Sequence, residues 1–192
     1  MRPNLKGMAQ VKDKKALIEK LFNEDDELVI ETIAEIKDKG DELFIAPLLD
    51  LLLAKPAYSV TLAIIDLLAN MKHKGAIREF GNLFWQPKYH PIAHHTLSIL
   101  WNSTFSDKAN PHISRIVEMG LTGDYSTLLE AVTLVENLVA PFDEAQLLDG
   151  ISQCKTFIAA NKNDERLPLI KQLADILSYH DNHNSDVAIN EA

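Results

Sequence analysis

The densest cluster of groups that could do chemistry in this 192-residue chain lies in KYHPIAHHTLSILWN, residues 88–102. There His90, His94 and His95 fall close enough in sequence to suggest metal ligation. Zinc needs three or four imidazole, thiolate or carboxylate ligands at fixed geometry. The stretch has helical periodicity, with Pro91 suited to a first helical position and His90 to the cap before it. At roughly 100° per residue the buried stripe is Ala93, Leu97, Leu100 and Trp101. His90 projects near that stripe and His94 lies on its flank, whereas His95 is phased to the opposite side. His90 and His94 could therefore face one another without His95. Neither an H-E-x-x-H motif nor a cysteine pair supplies further ligands, so no metal site is assigned. Without metal, the three are a capping, a boundary and an exposed histidine.

Other reactive groups are equally unspecific. Cys154 is the only cysteine, cannot form an internal disulfide and reads as a small apolar helix residue. His112 falls in a first turn, and His180 and His183 fall in a polar tail. Glu130 and Glu136 interrupt an apolar helix, LLEAVTLVENLV. Burial would raise their pKa values and suit them to proton transfer, but such residues more often mark a helix's solvent side. The chain holds no G-x-S-x-G, Walker loop or G-x-G-x-x-G, and its Ser, His and Asp residues show no triad spacing. No catalytic residue and no cofactor follow from these motifs.

Charge narrows the partners. The formal net charge is −9, although residues 1–20 hold six of the 19 basic residues and only two of the 28 acidic ones. The acidic body disfavours nucleic acid, and no basic stripe offsets it. The longest apolar run, LLDLLLA from Leu48 to Ala54, is far short of the roughly 20 residues of a membrane span. MRPNLKGMAQVKDKK is basic with no apolar core behind it, unlike a secretory signal. Together with the lone cysteine, this predicts a cytoplasmic protein.

The elements that must position these residues are helical. Val29, Ile30, Ile33 and Ile36 follow i, i+3, i+4, i+7 spacing, as do Ile45, Leu48, Leu49 and Leu52. The periodicity predicts helices over 11–22, 26–38, 42–54, 58–72, 76–86, 91–103, 111–120, 125–139, 144–160 and 165–179. Asp41, Asp124, Asp143 and Asp164 stand before apolar runs, where a carboxylate can accept first-turn amides. Asp143 and Gln146 have the spacing of a capping box. Short connections predict antiparallel neighbours.

Self-comparison adds a repeat. Aligning Gly40 with Gly75 pairs Ile33 with Leu68, Ile36 with Met71, Ile45 with Phe80 and Leu49 with Phe84. The shared K-x-K-G predicts a positive last turn and a helix-ending glycine. A third unit places Ile113, Ile116 and Val117 where the second has Phe80, Leu83 and Phe84. A fourth runs from Asp124 through the Asp143 helix, and the helix after Asp164 caps the stack.

Paired helices of this length, with I-x-x-L-L-x-x-L in the second after a tight turn, resemble HEAT-like repeats. The resemblance covers about residues 24–180. The unit is shorter than a usual HEAT repeat, and the third departs by carrying Pro91 and a longer turn at 102–110. It implies an all-α fold, a right-handed α-α superhelix of HEAT or armadillo type. About four helix pairs and a capping helix would occupy 24–180, behind a basic segment with a capping helix (1–23) and before a polar, flexible tail (181–192). It also implies a concave face, lined by second helices, that binds a protein or peptide. On the core phasing that face presents Asp50, Glu79, Asn82, Trp85, Arg115, Glu118 and Gln153. This mixed, mostly acidic surface suits a basic partner. Of Phe84 and Trp85, one is expected in the core and the other as a surface anchor. The expected function is a non-enzymatic interaction scaffold. HEAT-like folds also include DNA glycosylases and bilin lyases, so an enzyme on this scaffold is the alternative, as is a structural subunit of a larger complex.

Overall fold

A computed structural model of the chain describes residues 5–39 and 41–190, with side chains over 13–37 and 41–184. The described residues are all-α, with ten α-helices and no strand. They are α1 (Leu5–Leu21), α2 (Asp26–Lys39), α3 (Ile45–Leu53), α4 (Tyr58–Ala69) and α5 (Lys74–Leu83), then α6 (Ala93–Trp101), α7 (Ile113–Thr122), α8 (Tyr125–Asn137), α9 (Glu144–Ala160) and α10 (Leu167–Asn190). The expected 24–180 body is divided between two compact units, one up to Pro91 and one from Ile92.

In the first unit α1 packs on α2 and α3, α2 on α4, and α3 on α4 and α5. Apolar spacing dictates this. Ile45, Leu48, Leu49 and Leu52 form one buried stripe of α3, and Val60, Ile64, Leu67 and Leu68 form another on α4. A short 3-10 turn, Glu42–Phe44, leads into α3, and Asp41 caps it by accepting from the Leu43 amide at 3.1 Å. Pro47 is tolerated in the first turn of α3, where an amide needs no intrahelical acceptor. The helix ends at Leu53 with Ala54 as its cap, and Lys55 just beyond has φ 56° without being glycine and is followed by Pro56.

In the second unit α8 is central. It packs on α6, α7 and α10, while α9 packs on α7 and α10. Leu128, Ala131, Leu134 and Val135 give α8 its buried face. Gly120 permits the close approach of α7: a Cβ there would stand 2.9 Å from that of Ala131. Arg166 braces the end of α7. Its guanidinium donates to the Leu121 carbonyl at 3.3 Å and the Gly123 carbonyl at 2.5 Å, and its far side holds Asp164 at 2.8 Å. A cation on these last carbonyls offsets the negative end of the helix dipole.

Several sequence expectations are corrected at helix ends. Gly75 does not end a helix. It lies in the first turn of α5, its φ is not positive, and α4 has already stopped at Ala69. The cap of α5 is His73, whose Nδ1 accepts from the Ala76 amide at 3.3 Å. Gly40, the other glycine of that alignment, lies outside the described residues. His73 and Asp41 each cap the turn that follows, and Ala76, Phe80 and Phe84 are buried, as are Phe44, Leu48 and Leu52. Pro91 and Pro111 do not open α-helices: each sits inside a 3-10 segment, Pro87–Ile92 and Ser106–His112, that leads into α6 and α7. The capping box at Asp143 is half formed. Asp143 accepts from the Ala145 amide at 2.9 Å, but Gln146 turns to another helix. Finally, α10 runs to Asn190, through residues whose polar composition suggested a tail.

Candidate functional site

A polar network and a ligand-sized cavity stand out among the described residues. The first is the start of α7 against α9. The Ser114 amide donates to Gln146 Oε1 at 3.3 Å, and the Ser114 hydroxyl donates to Asp149. Gln153 Nε2 donates to Ser114 Oγ and to Asp149, both at 2.9 Å. These bonds exist because Gln146, Asp149 and Gln153 recur at helical spacing along one face of α9. The Ser114 hydroxyl, followed by the Gln153 amide, holds the Asp149 carboxyl below the usual carboxylate range. The Ser114 hydroxyl donates to a carboxylate with no imidazole beside it, and the network braces α7 against α9.

The second is a cavity of about 250 Å³ in the first unit, between α2, α3, α4 and the α4–α5 connection. Its walls are apolar and buried, with Ile36, Phe44, Leu48, Leu68, Met71 and Ala76 among them. Its polar lining is Lys37, Asp41, Asn70, Lys72 and His73, all but Asp41 exposed.

The residues expected to bind a partner are placed unevenly. Asn82 on α5 and Arg115 and Glu118 on α7 are exposed, and Glu79 on α5 is half-exposed. Asp50 is already engaged: it accepts from the Tyr89 hydroxyl at 2.9 Å and pairs with Lys88 at 2.5 Å. Burial, then that hydrogen bond, raises the Tyr89 pKa, while Asp50 raises that of Lys88. Gln153 is half-exposed and committed to Ser114. Trp85 is a correction. It is only 7% exposed, packs its ring 3.7 Å from that of Phe84 and belongs to the core, as Phe84 does. Neither is a surface anchor. The helix phase left the pair ambiguous because both follow the last turn of α5.

The histidines also differ from expectation. His90 is exposed, and His94 packs against His95 with ring centroids 3.8 Å apart, so His95 is not isolated on the opposite side. The 3-10 segment takes His90 out of the helix on which its projection depended, while His94 and His95 are successive residues of α6 whose rings still touch. Burial, with a smaller contribution from His94, lowers the His95 pKa to about 4. Among the described residues, no group of three or more His, Cys, Asp or Glu could hold a metal ion. Cys154 is fully buried and its pKa is pushed up to about 11 by desolvation, which keeps the thiol protonated and unreactive. Glu130 accepts from the Trp101 indole at 2.6 Å, linking α8 to α6, and Glu136 is exposed. No described helix is long and apolar enough to cross a membrane.

Sequence reasoning missed the Ser114–Asp149–Gln153 network and the cavity. The i, i+3, i+7 polar spacing of Gln146, Asp149 and Gln153 could have flagged the first. The cavity left no sequence signal. No protein family, curated protein or solved structure matches this chain.

Proposed function

We propose that the protein is a non-enzymatic interaction scaffold, a small HEAT-like solenoid whose second helices bind a protein or peptide. The observation that carries this reading is the packing order. In the second unit α6, α8 and α10 contact in succession as one layer, and α7 contacts α9 as the other. In the first unit α2 contacts α4, and α1, α3 and α5 follow one another. Next-but-one packing in two layers is how stacked helix pairs extend a core that no pair could bury alone. It leaves one face of each second helix in solvent. Glu79 and Asn82 in one unit, and Arg115 and Glu118 in the other, occupy such positions. With a net charge of −9, a basic peptide is the partner these surfaces favour. A buried, unpaired cysteine fits the reducing cytoplasm as its setting.

Affinity recovery from the native cell, followed by titration of the recovered partner, tests the proposal. Glu79→Lys and Glu118→Lys should each weaken binding, and added salt should slow association. A partner whose affinity is unchanged by both reversals would refute binding through the second helices.

A further inference from the structure

We infer that the cavity of the first unit is a binding site for a small amphiphilic anion, a medium-chain carboxylate of about eight carbons. The site is separate from the partner surface proposed above. Folded interiors are close-packed, with few voids larger than a water molecule. A 250 Å³ recess that opens to solvent on one side, yet is walled by the buried Phe44, Leu48, Leu68 and Met71, is therefore a feature to account for. At roughly 30 Å³ per small group, the volume a water takes in the liquid, it accommodates about eight non-hydrogen atoms. Its apolar walls exclude a polar occupant, since buried polar groups need partners that these side chains cannot offer. Lining of this kind, apolar with a few polar groups at one edge, is what small-molecule sites have in common.

The polar edge selects the head group. Asp41 pairs with Lys14 and caps the turn before α3, and Lys37 pairs with Asp66 at 3.2 Å. Asn70 also gives its amide to Asp66, at 3.0 Å. Lys72 is exposed at this edge and has no ion-pair partner among the described residues. Glu42 stands at the same edge, 3.5 Å from His73 Nδ1, so Lys72 is a cation there that Asp41, Asp66 and Glu42 do not take up. A carboxylate beside Lys72, with its alkyl chain among the walls, satisfies both halves of the site. An alcohol of the same length fills the walls and leaves the ammonium unpaired.

Calorimetric titration of the full chain with hexanoate, octanoate, decanoate and dodecanoate, each below its micellar concentration, tests this. Affinity should rise about fourfold per methylene up to eight carbons and then level off, because further carbons lie outside the walls. Lys72→Ala should weaken octanoate about threefold, as expected for an exposed ion pair, and leave octan-1-ol unchanged. Met71→Trp should abolish binding of both, with a thermal melt confirming the fold. Leu67→Phe, at another wall position, replaces it if the tryptophan unfolds the protein. Glu118→Lys, in the other unit, should leave octanoate affinity unchanged, which separates this site from the partner surface. The inference is overturned by the absence of saturable octanoate binding, by affinity that keeps rising through dodecanoate, or by a folded wall variant that binds as the parent does.

Discussion

Asp124 offers the sharpest test of how this fold is held together. One of its carboxylate oxygens accepts from the Thr127 amide at 2.8 Å and from the Thr127 hydroxyl at 2.7 Å, closing the N-terminus of α8. Thr127 is buried and Asp124 exposed, so in Asp124→Ala solvent reaches the two donors only from the Asp124 side. Losing an N-cap costs about 0.5–2 kcal/mol. Two donors stranded together place this one near the upper end, about 1.5–2 kcal/mol. For a chain of this size that lowers Tm by about 3–8 °C. Asp124→Asn keeps the acceptor and should stay within about 0.5 kcal/mol of the parent. The pH dependence follows from the same bonds. The Thr127 amide, then its hydroxyl, with a smaller contribution from His94, depress the Asp124 pKa below the usual carboxylate value. A depressed acid stabilises the fold fully above its unfolded pKa, about 3.9. That contribution drains away as pH falls through the lower folded value. The parent's advantage over Asp124→Ala, measured by urea unfolding, should therefore shrink between pH 5 and the acid limit. The Asn variant should show no such change from this position. Equal stability of parent and Asp124→Ala at pH 7, or a penalty that is unchanged at acid pH, would refute the reasoning.

The remaining predictions concern single residues. His95, held near pKa 4 by burial and then by His94, makes the fold lose stability as pH falls from about 6.5 toward 4, since the unfolded imidazole takes up its proton first. A proton NMR titration should place its midpoint near 4, and a midpoint at or above 6 would contradict its buried placement. Arg166→Met strands the Leu121 and Gly123 carbonyls and the Asp164 carboxylate, and should cost about 2 kcal/mol in urea unfolding. A loss under about 0.5 kcal/mol would show that the brace is immaterial. Lys55→Gly relieves a left-handed residue at the end of α3 and should raise stability by about 0.5–1 kcal/mol, whereas a decrease would argue against that backbone conformation.

Helix number and approximate position were legible in the residues. The i, i+3, i+4, i+7 stripe of α3 is buried as its spacing requires, as are Val29, Ile33 and Ile36 of α2 with Ile30 half-buried, and Asp41, Asp124 and Asp143 cap the turns they precede. Terminal details were not legible wherever two signals competed. The glycine of K-x-K-G suggested a helix end, but in the second copy His73 caps a new helix one residue before Lys74, so Gly75 falls inside it. Gln146 had the spacing to close its own capping box, yet the Ser114 amide of α7 takes its oxygen. In the first case a neighbouring cap outcompeted the glycine, and in the second a contact distant in sequence outcompeted a local preference worth about a kilocalorie or less.

The candidate sites divide along the same line. Exposure of Asn82 and Glu118 followed from helical phase, which depends only on the repeat of side chains around an axis. The burial of Trp85, the pairing of His94 with His95 and the engagement of Asp50 by Tyr89 did not. They depend on which helices meet and on where short 3-10 segments replace α-helix, as at Tyr89. By itself the sequence determined an all-α chain with amphipathic helices of nearly the right bounds, because hydrophobic periodicity and capping are local. Only the tertiary structure decided the two compact units, the α7–α9 network and the cavity beside Lys72. Those arise where surfaces far apart in sequence fit together, or stop short of fitting, and no local pattern encodes that remainder.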